Sequence, residues 1–226
     1  MMARVPTTEE RLTIDVPDKG AVSAAYVRPA EAFASLALFH GAGAGIDHPF
    51  MAGFARSIAE EGVATLRCNF PYMEAGKRSP DRQPVAVATV RAAFETAAAR
   101  AGNGEPVWVG GKSFGGRMAS VAVADGLPAA GLVFLGYPMH PPGKPDRVRD
   151  EHLYGIEVPM LFLQGTKDPF ATAPVLEPVL TRLSTATHVA IHGGGHSLER
   201  SRKDDPLEVA AALAPLVAAF MRGGSA

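Results

Sequence analysis

The sequence has a single cysteine, Cys68, in 226 residues, which excludes an internal disulfide and a cysteine-rich zinc site. It has no run of about 18 apolar residues, which excludes an ordinary membrane-spanning helix. Neither sign of charge dominates: 22 Lys and Arg against 23 Asp and Glu leave a net charge of −1. That balance gives no electrostatic footprint for nucleic acid or an anionic membrane. The opening residues, Met1-Met2-Ala3-Arg4-Val5-Pro6 and then Glu9, Glu10 and Arg11, contain no apolar h-region. No signal peptide is expected, and the expected location is the cytoplasm. Repeats, low-complexity linkers and composition breaks are absent as well. What is present is a chain that is 47% hydrophobic and long enough to bury a sizeable core, expected to form one domain over residues 1–226.

Short apolar runs alternate with helical patterns along the whole chain. Leu12 to Val16 and Ala21 to Val27 predict two strands around the turn Asp18-Lys19-Gly20. Ser35 to Phe39, Val63 to Leu66, Val107 to Val109, Leu132 to Leu135, Met160 to Leu163 and His188 to Ile191 predict further strands. Helices are predicted after Asp47, as cap, with Phe50, Phe54 and Ile58 on the apolar face, and again with Val87, Val90, Phe94 and Ala98 on one face. Others follow Ser113, span Val175 to Leu183, and run from a cap at Asp205 through Leu207 to Phe220. Pro215 is expected to kink or split that last helix. Asn69 to Pro84, broken by Pro71, Gly76 and Pro80, reads as a long loop. This alternation argues for an α/β architecture with a mainly parallel sheet.

The stretch Val107-Trp-Val-Gly-Gly-Lys-Ser-Phe-Gly-Gly-Arg117 admits two readings. A phosphate-binding loop requires Gly-x-x-x-x-Gly-Lys-Ser/Thr, and counting back from Gly111 puts Pro106 at the first glycine. Proline has a fixed φ and no N–H to donate, and Val107 to Val109 reads as strand, so no cradle can form. The second reading is a nucleophile elbow: strand, Gly111-Lys-Ser113-Phe-Gly115, helix. Such a serine sits in a strained turn, where side chains two residues to either side would collide.

An elbow needs partners in the order serine, acid, histidine. Leu161-Phe-Leu-Gln-Gly-Thr-Lys-Asp168 is a strand running into a loop that carries Asp168. His188-Val-Ala-Ile-His-Gly-Gly-Gly-His196 is a strand followed by a glycine loop that carries His196. Both residues therefore leave the same edge of the sheet as Ser113, where open α/β sheets place their sites. Standing alone, Asp168 would read as a turn residue and His196 as a surface histidine; their order and placement together favour a triad. His40-Gly41-Ala42-Gly43 follows another strand and suits an oxyanion loop, with the N–H of Ala42 pairing with that of Phe114. Ile46 occupies the position where a dinucleotide loop would need its third glycine. His40 is expected to brace the loop.

On these residues the chain resembles the α/β-hydrolases, and among them the small dienelactone-hydrolase-like group without a cap domain. It is most similar to the subgroup that includes the testis-expressed hydrolase-like proteins. The resemblance is carried by Phe70-Pro-Tyr-Met-Glu-Ala-Gly76, Gly110-Gly-Lys-Ser-Phe-Gly-Gly-Arg117, Gly136-Tyr-Pro-Met-His-Pro-Pro-Gly-Lys-Pro145 and Gln164-Gly-Thr-Lys-Asp-Pro-Phe170. It implies the α/β-hydrolase fold: a mainly parallel central sheet of about eight strands, helices on both faces, and minimal or no lid. Dienelactone hydrolases use a cysteine nucleophile. Position 113 is serine here, so the activity in that name does not carry over.

The expected chemistry is hydrolysis of a small acyl ester by Ser113, His196 and Asp168 through an acyl-enzyme, with no cofactor and no metal. The expected partner is a small-molecule acyl substrate. Thioester hydrolysis, acyl transfer, amide hydrolysis and perhydrolysis are alternatives on the same residues, and a non-catalytic scaffold is the alternative from another class. Tyr72, Met73, Met118, Tyr137 and Phe170 lie in or beside loops at the catalytic edge and are candidates for an acyl pocket, with ordinary core packing as the competing role. His188, His192 and His196 have a spacing that would suit zinc on a helix, but Gly193 to Gly195 break any helix and a strand would spread them apart. Cys68 reads as a small buried residue. Lys112 has no assigned role. Glu199 is a possible substitute acid.

Overall fold

The computed structural model describes residues 8–223. Residues 1–7, which hold most of the segment bearing on a signal peptide, lie outside the described residues, as do 224–226. Eight strands form one sheet in the order β1-β2-β4-β3-β5-β6-β7-β8. They are β1 (Glu9–Val16), β2 (Gly20–Val27), β3 (Ala34–Phe39), β4 (Val63–Cys68), β5 (Val107–Lys112), β6 (Leu132–Leu135), β7 (Met160–Gly165) and β8 (Ala186–Ile191). The first two make an antiparallel hairpin, closed by Asp18 (φ 59°) and Gly20 (φ 82°), and β2 pairs antiparallel with β4. From β4 to β8 every pairing is parallel.

The sequence pattern follows from that geometry. β3, β4 and β7 are buried at every residue, so they show no polar alternation. Parallel strands covered on both faces carry continuous apolar runs for this reason. Successive side chains go to opposite layers: Ala37 and Phe39 pack with α3 (Gln83–Arg100) and α4 (Phe114–Ala124), while Leu36 and Leu38 pack with α1 (Pro49–Glu60) and α6 (Pro206–Met221). A short α2 (Pro71–Glu74) and α5 (Ala173–Leu180) complete the helices among the described residues, with a 3-10 turn at Glu151–Gly155. None of these helices is long and apolar enough to cross a membrane.

Three local expectations are corrected. The loop expected from Asn69 to Pro84 contains α2, which the Asp81 carboxylate holds by accepting the Tyr72 N–H at 2.9 Å. His48, not Asp47, caps α1: its ring accepts the Phe50 N–H at 3.3 Å, and Asp47 instead pairs with Arg11 at 2.6 Å. The last helix is not split at Pro215, because packing of its apolar face against α1 compensates for one lost backbone bond. Between β6 and β7 the chain contributes only loop and the 3-10 turn, so no lid subdomain covers the strand ends.

Candidate active site

The parallel strands deliver the reactive groups to one edge. Ser113 follows the last residue of β5 and adopts φ 50°, ψ −114°, a conformation that side chains rarely take. The turn closes because Gly111 and Gly115 have no Cβ: one on Gly111 would lie 2.1 Å from the Phe39 carbonyl oxygen, and one on Gly115 would lie 2.5 Å from the same atom. The two glycines of the motif are thus demanded by the approach of the turn to the end of β3. The Ser113 carbonyl accepts the Arg117 N–H at 3.0 Å and starts α4, while its side chain caps nothing.

That side chain meets the histidine. Ser113 Oγ lies 2.7 Å from His196 Nε2, and His196 Nδ1 lies 2.7 Å from Asp168 Oδ2. Asp168 is buried, and its carboxylate also accepts from the Gln164 side-chain amide and from the Phe170 N–H at 2.8 Å. A carboxylate with three donors is held in position. It accepts the Nδ1 proton of His196, which leaves the Nε2 lone pair facing the serine hydroxyl. The His196 loop approaches β6 so closely that a Cβ on Gly136, at φ 74°, would sit 2.4 Å from the His196 carbonyl oxygen.

The loop after β3 supplies the other side. A Cβ on Gly41 would be 3.6 Å from the Ser113 Cβ, so this loop lies directly against the serine. The Tyr72 hydroxyl accepts the Gly43 N–H at 3.2 Å. His40 is buried: its Nε2 accepts the Phe70 N–H at 3.2 Å and its Nδ1 faces the Gly41 carbonyl at 2.8 Å. Burial pushes its pKa down to about 4, so the ring is neutral and braces the loop with one donor and one acceptor. Ala42 and Phe114 both line the cavity beside Ser113, and neither backbone N–H donates to an acceptor among the described residues.

The cavity holds about 570 Å³. Phe170 is on its wall, with its ring 4.6 Å from that of His196. The other four pocket candidates are not on the wall. Tyr72, Met118 and Tyr137 are fully buried in the core and Met73 packs partly buried against it. Tyr72 and Met73 stand in α2, Met118 in α4 and Tyr137 just after β6; the Tyr72 hydroxyl meets the loop backbone at Gly43, and the Tyr137 hydroxyl lies 3.2 Å from Ser120 Oγ. Instead the wall is built by Pro138, Pro141 and Pro142 of the β6–β7 segment, together with Arg117 and Arg149. Arg117 was legible in principle: it stands four residues after Ser113 on a helix, the spacing that puts two residues on one face.

The remaining candidates resolve as follows. Lys112 Nζ donates to Ser197 Oγ at 2.8 Å; burial lowers its pKa and the nearby Glu199 carboxylate counters that effect. Glu199 is thus near Lys112, and Asp168 is the carboxylate bonded to His196. Burial pushes the Cys68 thiol up to about 12, which removes it as a nucleophile at ordinary pH. No group of three or more His, Cys, Asp or Glu among the described residues could hold a metal ion.

Comparison with known structures places this geometry in context. A serine hydrolase homologue from Coxiella burnetii superposes with a TM-score of 0.75 at 19% identity, covering 97% of this chain and 100% of that one. An α/β serine hydrolase without a lid from Xanthomonas campestris gives 0.73 at 21% identity, covering 96% of each chain. A dienelactone hydrolase from Anabaena variabilis gives 0.72 at 19% identity, covering 97% of this chain and 99% of that one. At these identities the likeness is one of fold. The family model described as alpha/beta hydrolase domain matches residues 32–222, and the chain belongs to that family.

Proposed function

We propose that this protein is a serine hydrolase that cleaves small acyl esters through an acyl-enzyme. The observation that carries the reading is the continuous chain from Asp168 through His196 to Ser113, opening into a cavity beside two undonated N–H groups. His196 Nε2 takes the Ser113 proton as Oγ bonds to the substrate carbonyl carbon. Asp168 stabilises the imidazolium that forms. Negative charge moves onto the carbonyl oxygen, where the N–H groups of Ala42 and Phe114 are available to receive it. Collapse expels the alcohol, which takes its proton from His196. Water then repeats the sequence on the acyl-serine, with His196 as base, and returns Ser113 and the free acid. Each step balances without a cofactor.

The short β6–β7 segment also bears on the substrate. Each buried methylene contributes about 0.8 kcal/mol only while apolar walls surround it. The apolar wall is confined to Pro138, Pro141, Pro142 and Phe170, with Arg117 and Arg149 beside it, which suits an acyl chain of a few carbons. Purified protein should hydrolyse p-nitrophenyl butyrate, with kcat/KM rising from acetate to butyrate or hexanoate and falling beyond. A steady rise through dodecanoate, measured below the micellar concentrations, would contradict the small-acyl part of the reading. Absence of any turnover across the panel would contradict the whole of it.

A further inference from the structure

Among the described residues, the cavity beside Ser113 is lined by three cationic side chains, Lys112, Arg117 and Arg149, and by no carboxylate. Lys112 is answered by Ser197 and by the charge of Glu199. The two arginines are not answered. Arg117 projects from α4, half-buried, and its Nε is buried with no hydrogen-bond partner. Arg149 is exposed on the β6–β7 segment, anchored where its backbone N–H donates to the Met139 carbonyl at 2.8 Å. Neither guanidinium forms an ion pair with, or donates to, a carboxylate among the described residues. The carboxylate next in sequence, Asp150, is engaged by the Tyr154 hydroxyl. Burial is the main effect pushing the Arg117 pKa down; Tyr137 counters it and the like charge of Arg149 adds to it.

Three other partly or fully buried arginines do have a carboxylate partner. Arg28 pairs with Glu105 at 2.7 Å, Arg67 with Glu9, and Arg100 with Glu10 at 2.7 Å. A half-buried guanidinium that shares a cavity with a second one, with no counter-ion among the described residues, is costly unless a ligand supplies the negative charge. The planar fork of arginine matches oxygen anions and orients them. We propose that Arg117 and Arg149 form a subsite for an anionic oxygen group, carboxylate or phosphate, carried by the ester. The substrates of this site are then charged esters whose anionic end is held across the cavity from Ser113. This inference rests on the serine-hydrolase reading for its reaction but not for its binding.

The test compares mono-p-nitrophenyl adipate with its neutral methyl ester, and with p-nitrophenyl 4-phosphonobutyrate as the phosphate-type arm. One charged ester should exceed the neutral one in kcat/KM by about tenfold or more, the effect expected of a hydrogen-bonded charged pair. The arm that gains identifies the anion. The advantage should shrink between 50 and 500 mM NaCl, as roughly expected for a partly exposed pair. It should collapse in Arg149→Gln, an exposed position that leaves the fold intact, and survive in part in Arg117→Lys. Equal kcat/KM for charged and neutral esters, or an advantage that persists in Arg149→Gln, overturns the subsite while leaving the hydrolase reading in place. Binding of monomethyl adipate and dimethyl adipate to the Ser113→Ala protein, followed by calorimetry, needs no turnover. Tighter binding of the monoanion, lost in Ser113→Ala/Arg149→Gln, supports the subsite even if no ester is cleaved, and equal binding counts against it.

Discussion

Among the described residues two serine–histidine pairs have nearly the same length. Ser113 Oγ stands 2.7 Å from His196 Nε2, and Ser120 Oγ stands 2.9 Å from His152 Nε2. What differs is everything around them. Ser113 sits at a strained turn with an uncommitted hydroxyl, whereas Ser120 sits inside α4 and donates its proton to the Arg117 carbonyl at 2.8 Å. Ser120 Oγ can then only accept, so His152 Nε2 must carry a hydrogen and cannot serve as a base toward it. His196 has a buried carboxylate on its far nitrogen; no hydrogen bond from His152 Nδ1 to a carboxylate occurs among the described residues. Burial pushes the His152 pKa down to about 4, and the Arg117 charge adds to the shift. Proximity of a serine and a histidine is therefore common property; an acceptor for the second ring proton and a free hydroxyl separate a reactive pair from a packing one.

Removing each serine sharpens this contrast most. Ser113→Ala should lose about three orders of magnitude or more in kcat against p-nitrophenyl butyrate with the fold unchanged by circular dichroism. Ser120→Ala should keep activity within about threefold and lose about 1–3 kcal/mol of stability in denaturant unfolding, because the Arg117 carbonyl, Tyr137 and His152 each lose a partner. Comparable losses in the two variants would erase the distinction. Asp168→Asn comes next: it removes the charge that stabilises the imidazolium and can leave the wrong tautomer, for a loss of about a hundredfold or more. Full activity there would mean that another acid orients His196.

Gly136→Ala tests the positioning of His196 from a distance. A methyl group at φ 74° would press on the His196 carbonyl, so the loop must shift. Displacement of the base by about 1 Å costs up to a hundredfold in rate. The effect should appear in kcat on soluble esters, and an unaffected kcat would show that the loop adjusts freely.

The smallest effect concerns the packing pair. A neutral buried histidine with a folded pKa of about 4 binds fewer protons than the unfolded chain between about 4 and 6.5. Its contribution is fully present above the unfolded value and is lost as pH falls through the folded one. His40 acts in the same sense. Melting temperature should therefore decline from pH 7 to pH 4.5, and His152→Gln should flatten part of that decline. An identical slope in the variant would remove His152 from the acid sensitivity.

Much of this arrangement was legible in the residue order. Strand runs and their terminal loops place Ser113, Asp168, His196 and Ala42 at one edge, because parallel strands all end on the same side. The glycines at 111 and 115 were legible as a requirement, though the partner they make room for, the Phe39 carbonyl, was not. Side-chain direction was the hidden quantity. Tyr72 and Tyr137 sit at the expected edge yet both are buried, with the Tyr72 hydroxyl on the Gly43 N–H and the Tyr137 hydroxyl beside Ser120. The isolation of Arg117 and Arg149 was equally hidden, since only the folded chain shows which charges lack an opposite. His48 took the capping role from Asp47 because Arg11, far away in sequence, claims that carboxylate.

The central claim is that Ser113 alone carries the covalent step. Reaction of the folded protein with a fluorophosphonate, followed by peptide mass spectrometry, measures it without any assumption about substrate. The account predicts one adduct per chain on Ser113, abolished in Ser113→Ala and strongly slowed in Asp168→Asn. An adduct on Ser120 or another residue, or no adduct in a protein that still turns over esters, would contradict it.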